Sequence, residues 1–294
     1  MFTLAHLSDV HLAPLPDPQW RELMGKRLTG YINWRRKRRF VHDAGVLTRI
    51  VADLKRQAPD AIAVTGDIAN IGLAQEYLNG REFLEGLGAP PDVTFVPGNH
   101  DIYVPEAARF CARQWEPWMC DDGGKSGFPF VRRRGPVAII GVNSGVPTAP
   151  FFATGCIGPK QLTELAAQLK ALKAEKLFRV VMIHHPPVSA AARHKRLLDA
   201  DAFRRVIATH GAELILHGHD HLRMLNWLVG PDGSRVPAVG VPSASAKPGM
   251  DHANAAYHLY NIDGATSAWT CEVISRGITP DGAIVEEKRF MLEA

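Results

Sequence analysis

Phe2-Thr3-Leu4-Ala5-His6-Leu7-Ser8-Asp9-Val10-His11 opens the chain with an apolar run that ends in a carboxylate and an imidazole. The run is short, β-prone and bounded by polar residues, so it predicts a strand over Phe2–Leu7 with Asp9 and His11 at its carboxyl end. Four further runs repeat the form. Ala61–Val64 leads into Gly66-Asp67, and Val93–Val96 into Gly98-Asn99-His100-Asp101. Phe178–Ile183 leads into His184-His185-Pro186, and Glu213–Leu216 into Gly218-His219-Asp220-His221. Between these runs, Phe40–Gln57, Ala74–Leu87 and Pro159–Lys176 show helical spacing. In the last, Leu162, Leu165, Ala166, Leu169 and Leu172 follow the i, i+3, i+4, i+7 rule. Alternating strands and helices predict βαβ units and a largely parallel sheet. In such sheets, ligands gather beyond the carboxyl ends of the strands.

From Leu222 the pattern changes. Leu222–Val229, Arg235–Val241, Tyr257–Asp263 and Ser267–Ser275 read as successive strands, with turn signals at Pro231-Asp232-Gly233 and Asp263-Gly264. This predicts a second, more antiparallel sheet packed on the first. No repeat, low-complexity tract or Gly/Ser linker interrupts the 294 residues, so one α/β domain over 1–294 is expected. A chain this long buries about 75% of the surface its unfolded form exposes. The formal charge of +4 suits an anionic small molecule better than a nucleic-acid polymer. Four cysteines with no C-x-x-C pair suit a reduced, cytoplasmic protein. The N-terminus lacks a signal-peptide pattern, and no apolar stretch reaches membrane-spanning length.

The five strand-end clusters carry the chemistry. Carboxylate, imidazole and amide oxygen are ligands for Mn, Fe, Zn or similar ions. Asp9 and His11 alternate around Val10, and His219 and His221 around Asp220, so an extended backbone would turn each pair to one side. Asp67 has two oxygens with which to bridge two cations, and a pair of cations clamps a phosphoryl group for in-line attack by activated water. Each cluster alone is weak, since a lone histidine in a strand is more often a packed residue than a ligand. On that ground His6 is read as core and His217 as structural. His42, His194, His210, His252 and His258 are read as surface or loop. Neither a P-loop, a dinucleotide fingerprint nor a nucleophile elbow is present.

Taken in order, Asp9-x-His11, Gly66-Asp67, Gly98-Asn99-His100-Asp101, His184 and Gly218-His219-x-His221 resemble the calcineurin-like metallophosphoesterase superfamily. The length and the His-His-Pro-Pro element look most like its bacterial cyclic-nucleotide and glycerophosphodiester phosphodiesterase branch. The resemblance implies a four-layer α/β/β/α sandwich with two mixed sheets. It also implies two divalent or mixed-valence transition metal ions. Asp9, His11 and His221 would hold one ion, Asn99, His184 and His219 the other, and Asp67 would bridge them. His184 and His185 compete for one role, and the family pattern favours His184. His100 would donate a proton or hydrogen bond to the phosphate or leaving oxygen, with Asp101 orienting its ring.

The expected activity is hydrolysis of a small phosphodiester, a cyclic nucleotide or similar, by water that the metals activate. Alternatives are an amphiphilic phosphodiester or pyrophosphate, or a broad range of phosphomonoesters. The segment after His11 bears on this choice. Gln19–Arg39 sets Trp20, Leu23, Met24, Leu28, Tyr31 and Ile32 on one helical stripe and ends in five consecutive cations, Arg35 to Arg39. It reads as a solvated surface helix, or as a basic cap over the pocket. In the second case Trp20, Tyr31 and Trp34 would touch substrate, a membrane surface or another copy of the chain. Arg132-Arg133-Arg134 is a further candidate for a basic rim.

Overall fold

The computed structural model describes residues 1–265 and 268–293. Their elements run in the order β1 (Phe2–Leu7), α1 (Lys26–Asn33), a π-helical turn (Trp34–Arg38), α2 (Arg39–Val41), α3 (Ala44–Arg56), β2 (Ala61–Val64), α4 (Ala74–Leu87), β3 (Val93–Phe95) and α5 (Ala107–Trp115). The chain continues through β4 (Phe130–Arg134), β5 (Val137–Gly141), α6 (Pro159–Ala174), β6 (Phe178–Met182), α7 (Ala200–His210) and β7 (Leu214–His217). It ends with β8 (Met224–Val229), β9 (Arg235–Gly240), β10 (Ala256–Asp263), β11 (Thr270–Ile278) and β12 (Ile284–Met291).

Two six-stranded mixed sheets result, ordered β12-β11-β10-β1-β2-β3 and β4-β5-β6-β7-β9-β8. The period of two along the strands decides the layering. Val137, Ile139, Val180, Met182, Leu214 and Leu216 turn inward and join the core shared with the first sheet. Their neighbours Ala138, Ile140, Val181, Ile183 and Ile215 turn outward onto Leu165 and Leu169 of α6 and Phe203 and Ile207 of α7. Burial of each such leucine or phenylalanine contributes about 1.5–3 kcal/mol. On the other side, Val46, Ile50 and Leu54 of α3 and Tyr77 and Leu84 of α4 cover the first sheet. The four-layer α/β/β/α sandwich with two mixed sheets is therefore present.

Several expectations need correction. The strands beyond Leu222 do not make a sheet of their own. β8 and β9 extend the second sheet, with β9 parallel to β7, while β10 lies antiparallel to β1 and carries β11 and β12 outward. Ser267, the expected start of a strand, lies outside the described residues. The helix expected over Phe40–Gln57 is broken, because His42 is extended (φ −91°, ψ 130°). Asp43 then caps α3, its side chain accepting from Val46 N at 2.9 Å. Arg132, Arg133 and Arg134 form no basic rim. Arg132 donates to the carbonyls of Pro90, Val93, Pro117 and Cys120, Arg133 pairs with Glu175, and Arg134 with Asp122. Among the described residues no helix is long and apolar enough to cross a membrane.

Candidate metal centre

All five clusters meet where the carboxyl ends of β1, β2, β3, β6 and β7 converge. The backbone that carries them is not extended, contrary to the expectation for Asp9, His11, His219 and His221. Their φ values are 52°, 40°, 69° and 54°, and Asp67 has 57°. Left-handed backbone is reached more readily by Asp and His than by most residues, yet each case still costs on the order of 1 kcal/mol. Backbone hydrogen bonds hold the coil in place. Asp9 N donates to Gly66 O at 3.0 Å and His11 N to Asp67 O at 2.8 Å. Ser243 Oγ donates to Asp9 O at 2.6 Å, so a segment far along the chain buttresses the first cluster.

The donor atoms point at one another. His221 Nε2 lies 3.1 Å from Asp9 Oδ1 and 3.3 Å from His11 Nε2, while His11 Nδ1 faces Ala69 O at 3.2 Å. A second group forms around Asn99 Oδ1, 3.2 Å from His184 Nε2 and 2.9 Å from His219 Nδ1. Asp67 Oδ2 sits between the two, 3.3 Å from His184 Nε2 and 3.8 Å from His11 Nε2. His184 Nδ1 donates to Thr65 O at 2.6 Å, which fixes the tautomer and leaves Nε2 with its lone pair inward. Both nitrogens of His185 are engaged elsewhere, Nδ1 with Ser144 Oγ at 2.8 Å and Nε2 with Ala153 O at 3.3 Å. His184 Nε2 also faces Asp67, whereas His185 joins His184 and His219 in a further group of candidate ligand atoms within 4.8 Å of one another.

These residues fit metal ions. Asp9 Oδ1 is buried and accepts no directed hydrogen bond, although His221 Nε2 is close. An unmatched carboxylate oxygen facing imidazole lone pairs is unfavourable unless a cation stands among them. The protonation pattern agrees. Against its burial, His184 is pushed up to about 10 by Asp67, so Nε2 attracts a positive charge, which a metal ion in place of a proton would supply. Burial by itself would raise Asp67, but His184 and then His100 draw it well below the usual carboxylate range.

Glycine makes the close approach feasible. A Cβ at Gly98 would overlap Asp67 Oδ1, and one at Gly218 would overlap Ser8 Oγ and stand 2.5 Å from Asp9 Oδ2. Gly98→Ala is accordingly expected to lower bound metal measurably and to destabilise the fold by about 1–3 kcal/mol, the usual cost of overpacking. Atomic absorption and a denaturation curve on the purified variant check both effects. Retention of the full metal complement would show that Asp67 shifts freely.

The expected partnership of Asp101 with the His100 ring is not seen. The two Asp101 oxygens accept from the backbone N–H groups of Asp67, Ile68, Ala69 and Gly98, at 2.7–2.9 Å. Asp101 thus ties the loop after β2 to the loop after β3. The His100 ring is instead held at Nδ1 by Asn70 O, and its Nε2 accepts from Arg38 Nη1 at 2.6 Å. Burial and then Arg38 push His100 down to about 3. Asn70 and Tyr103, which stacks on His100 at 5.4 Å, were not legible as site residues, and Arg38 was expected only as one of five cations on a possible cap. Nor was His42, which is buried against the rings of His11 and Trp34 rather than on the surface. His258 is likewise buried, within β10. His6 is core as expected, its Nε2 2.8 Å from Thr65 Oγ1.

The Gln19–Arg39 segment forms one wall of the cavity, which has a volume of about 690 Å³. Gly30 lets α1 pack flush on Tyr103 and Ile71, where any Cβ would overlap both. Arg27 fastens the same helix to Ile71 O, Gly72 O and Glu106. The apolar stripe is only partly used. Trp20, Met24, Leu28 and Ile32 remain exposed, whereas Trp34 is buried on His42 and is not free to dock on anything. Of the five consecutive cations, Arg38 alone turns inward, and Arg35, Arg36, Lys37 and Arg39 stay exposed.

Comparison with known proteins agrees with this architecture. The family model described as Calcineurin-like phosphoesterase matches residues 2–223. A probable cyclic nucleotide phosphodiesterase of Synechococcus is 29% identical over 224 residues, covering 74% of this chain and 73% of that protein. The glycerophosphodiester phosphodiesterase GpdQ of Enterobacter lignolyticus is 33% identical over 98 residues, and the match spans 33% of this chain and 29% of its relative. In three dimensions, a dimetal phosphatase from Danio rerio superposes with a TM-score of 0.64 at 14% identity, over 99% of this chain and 98% of the other.

Proposed function

Because the chain belongs to the calcineurin-like phosphoesterase family and is a hydrolase of phosphoesters, we propose that its substrate is a small phosphodiester, a cyclic nucleotide or a close chemical relative. The observation that carries the dinuclear reading is Asp67 Oδ2, set between the His11 and His184 nitrogens with the orphaned Asp9 Oδ1 beside it. Asp9, His11 and His221 are assigned to one ion, Asn99, His184 and His219 to the other, and Asp67 to both. When bound, such a pair lowers the pKa of water and neutralises charge on the phosphoryl oxygens. The donor set suits Mn, Fe or Zn.

The protein's own groups complete the site. His100 is locked on one side by Asn70 O, and once Arg38 turns to the anion its Nε2 is free to take up a proton and hold it against the leaving oxygen, so it is assigned that role. Arg38 stands beside it and is placed to turn from the imidazole to an incoming anion. Phe151, Phe152 and Leu222 line the mouth and are exposed, which favours a second reading in which one ester arm is apolar.

A substrate panel decides between these readings. With Mn, Fe or Zn supplied, bis-p-nitrophenyl phosphate and 2′,3′- or 3′,5′-cyclic nucleotides are expected to outrun p-nitrophenyl phosphate in kcat/KM by at least about tenfold, or 1.4 kcal/mol. Faster turnover of the monoester would overturn the diesterase assignment. Preference for a glycerophospholipid-derived diester or a lipid-linked pyrophosphate would favour the amphiphilic reading.

A further inference from the structure

The cavity is lined by two cations, Lys26 and Arg38, that form no ion pair among the described residues. Lys26 is only 8% exposed, and its Nζ donates to Thr148 Oγ1 at 2.6 Å and to Phe152 O at 3.2 Å. It lies 4.3 Å from the centre of the Tyr103 ring, whose other neighbour is His100. The side-chain hydrogen bonds of Arg38 run from Nη1 to the His100 ring, with none from Nε or Nη2 among the described residues. No carboxylate among those residues forms an ion pair with either group. By contrast, the nearby Arg27 pairs with Glu106, and deeper in the fold Arg179 pairs with Glu213 and Arg276 with Asp53.

A desolvated cation costs several kcal/mol unless an opposite charge meets it. Lys26 and Arg38 both face one cavity, beside a centre whose two carboxylates, Asp9 and Asp67, are turned toward the metal positions. The backbone is shaped for the arrangement. Residues 34–38 form a π-helical turn, a wide turn that is rare and concentrated at functional sites. At its two ends it buries Trp34 against His42 and delivers Arg38 to His100.

We propose that Lys26 and Arg38 form an anion subsite, separate from the metal ligands, for a second negatively charged group on the substrate, most naturally a second phosphate. The inference rests on the phosphodiesterase reading and narrows it to diesters that carry an additional phosphate or are joined through a diphosphate. Arg38 supplies a planar fork suited to two phosphate oxygens, and Lys26 a point charge beyond Tyr103. The exposed Arg35, Arg36, Lys37 and Arg39 take no part.

Two measurements on the metal-loaded full-length protein test this. Calorimetric titration with adenosine 5′-diphosphate and adenosine 5′-monophosphate reads the subsite without turnover. Wild type is expected to bind the diphosphate more tightly by about tenfold or more. Arg38→Met and Lys26→Met should each reduce that ratio about tenfold, the loss expected when a charge-assisted hydrogen bond to the second phosphate is removed. Arg38→Lys and Lys26→Arg keep the charge and should restore part of it, which a purely structural role would not do. The second measurement compares kcat/KM for a dinucleotide joined through a diphosphate with that for bis-p-nitrophenyl phosphate in the same variants. The preference for the former should fall by the same factor, through KM. Equal affinity of wild type for the two nucleotides, or equal losses on both in the variants, overturns the subsite. Retained nucleotide discrimination with no hydrolysis of either diester overturns the phosphodiesterase reading and leaves the subsite standing.

Discussion

Asp67→Ala is expected to abolish diester hydrolysis, a fall on the order of 10³-fold or more, and to lower bound metal at both positions. Its carboxylate reaches both donor groups. Oδ2 lies 3.3 Å from His184 Nε2 and 3.8 Å from His11 Nε2, while Oδ1 accepts from His100 N at 2.8 Å. The substitution therefore removes the shared carboxylate and also releases the loop that carries Asn99 and His100. Asp67→Asn separates the two effects. An amide keeps an oxygen for His100 N but gives up the negative charge, so it should keep the fold and still lose metal. Metal analysis by atomic spectrometry, paired with turnover of bis-p-nitrophenyl phosphate, reads both outcomes. A metal-replete Asp67→Ala protein that hydrolyses the diester near the wild-type rate would rule out the dinuclear reading.

His100→Ala should behave differently. It is expected to retain both ions and to lose about 10²–10⁴-fold in kcat, the usual range for removal of a positioned acid or base. His100 belongs to neither donor group, since its Nδ1 is committed to Asn70 O and its Nε2 to Arg38. The loss should depend on the ester. An aryl diester with a good leaving group needs little help with the departing oxygen and should suffer least, whereas an alkyl diester should suffer most. A series of diesters graded by leaving-group pKa would show this as a steeper dependence in the variant. Loss of one metal ion from His100→Ala would instead make the imidazole a ligand.

The proposed ligands were readable because their chemistry is local. A carboxylate or imidazole at the end of an apolar run signals a strand-end site, and five such clusters in order exclude most alternatives. The parallel strands were equally plain, since apolar residues predominate in β1, β2, β3, β6 and β7. What escaped was whatever depends on distant partners. Asp101 looks like an orienting acid beside His100, but four backbone N–H groups claim its oxygens. His42 has no neighbouring signal, and only the fold brings it against His11. β4 hides behind Arg132-Arg133-Arg134, because charged strand residues find carbonyl and carboxylate partners that no local pattern announces. The run of five cations looked uniform, and the π-helical turn then separated Arg38 from the other four.

The pairing of β1 with β10 has a bearing on how the chain reaches its folded form. β1 is made before the other strands described, yet its antiparallel neighbour is β10, Ala256–Asp263, far later in the chain. The loop bearing Asp9 and His11 also waits for part of its support, because Ser243 Oγ and the Ser8–Ser243 bridge add to the hydrogen bonds it makes with the loop after β2. Every proposed ligand has been synthesised once His221 is in place, but the architecture that aims them is not. A nascent chain thus passes through a long interval in which a full set of metal-binding side chains exists without a preformed centre, and with one edge of β1 unpaired. Such high-separation contacts slow folding, and an exposed strand edge invites aggregation in the meantime. The stretch beyond His221 acts less as an appendage to the catalytic region than as the step that ends its vulnerability.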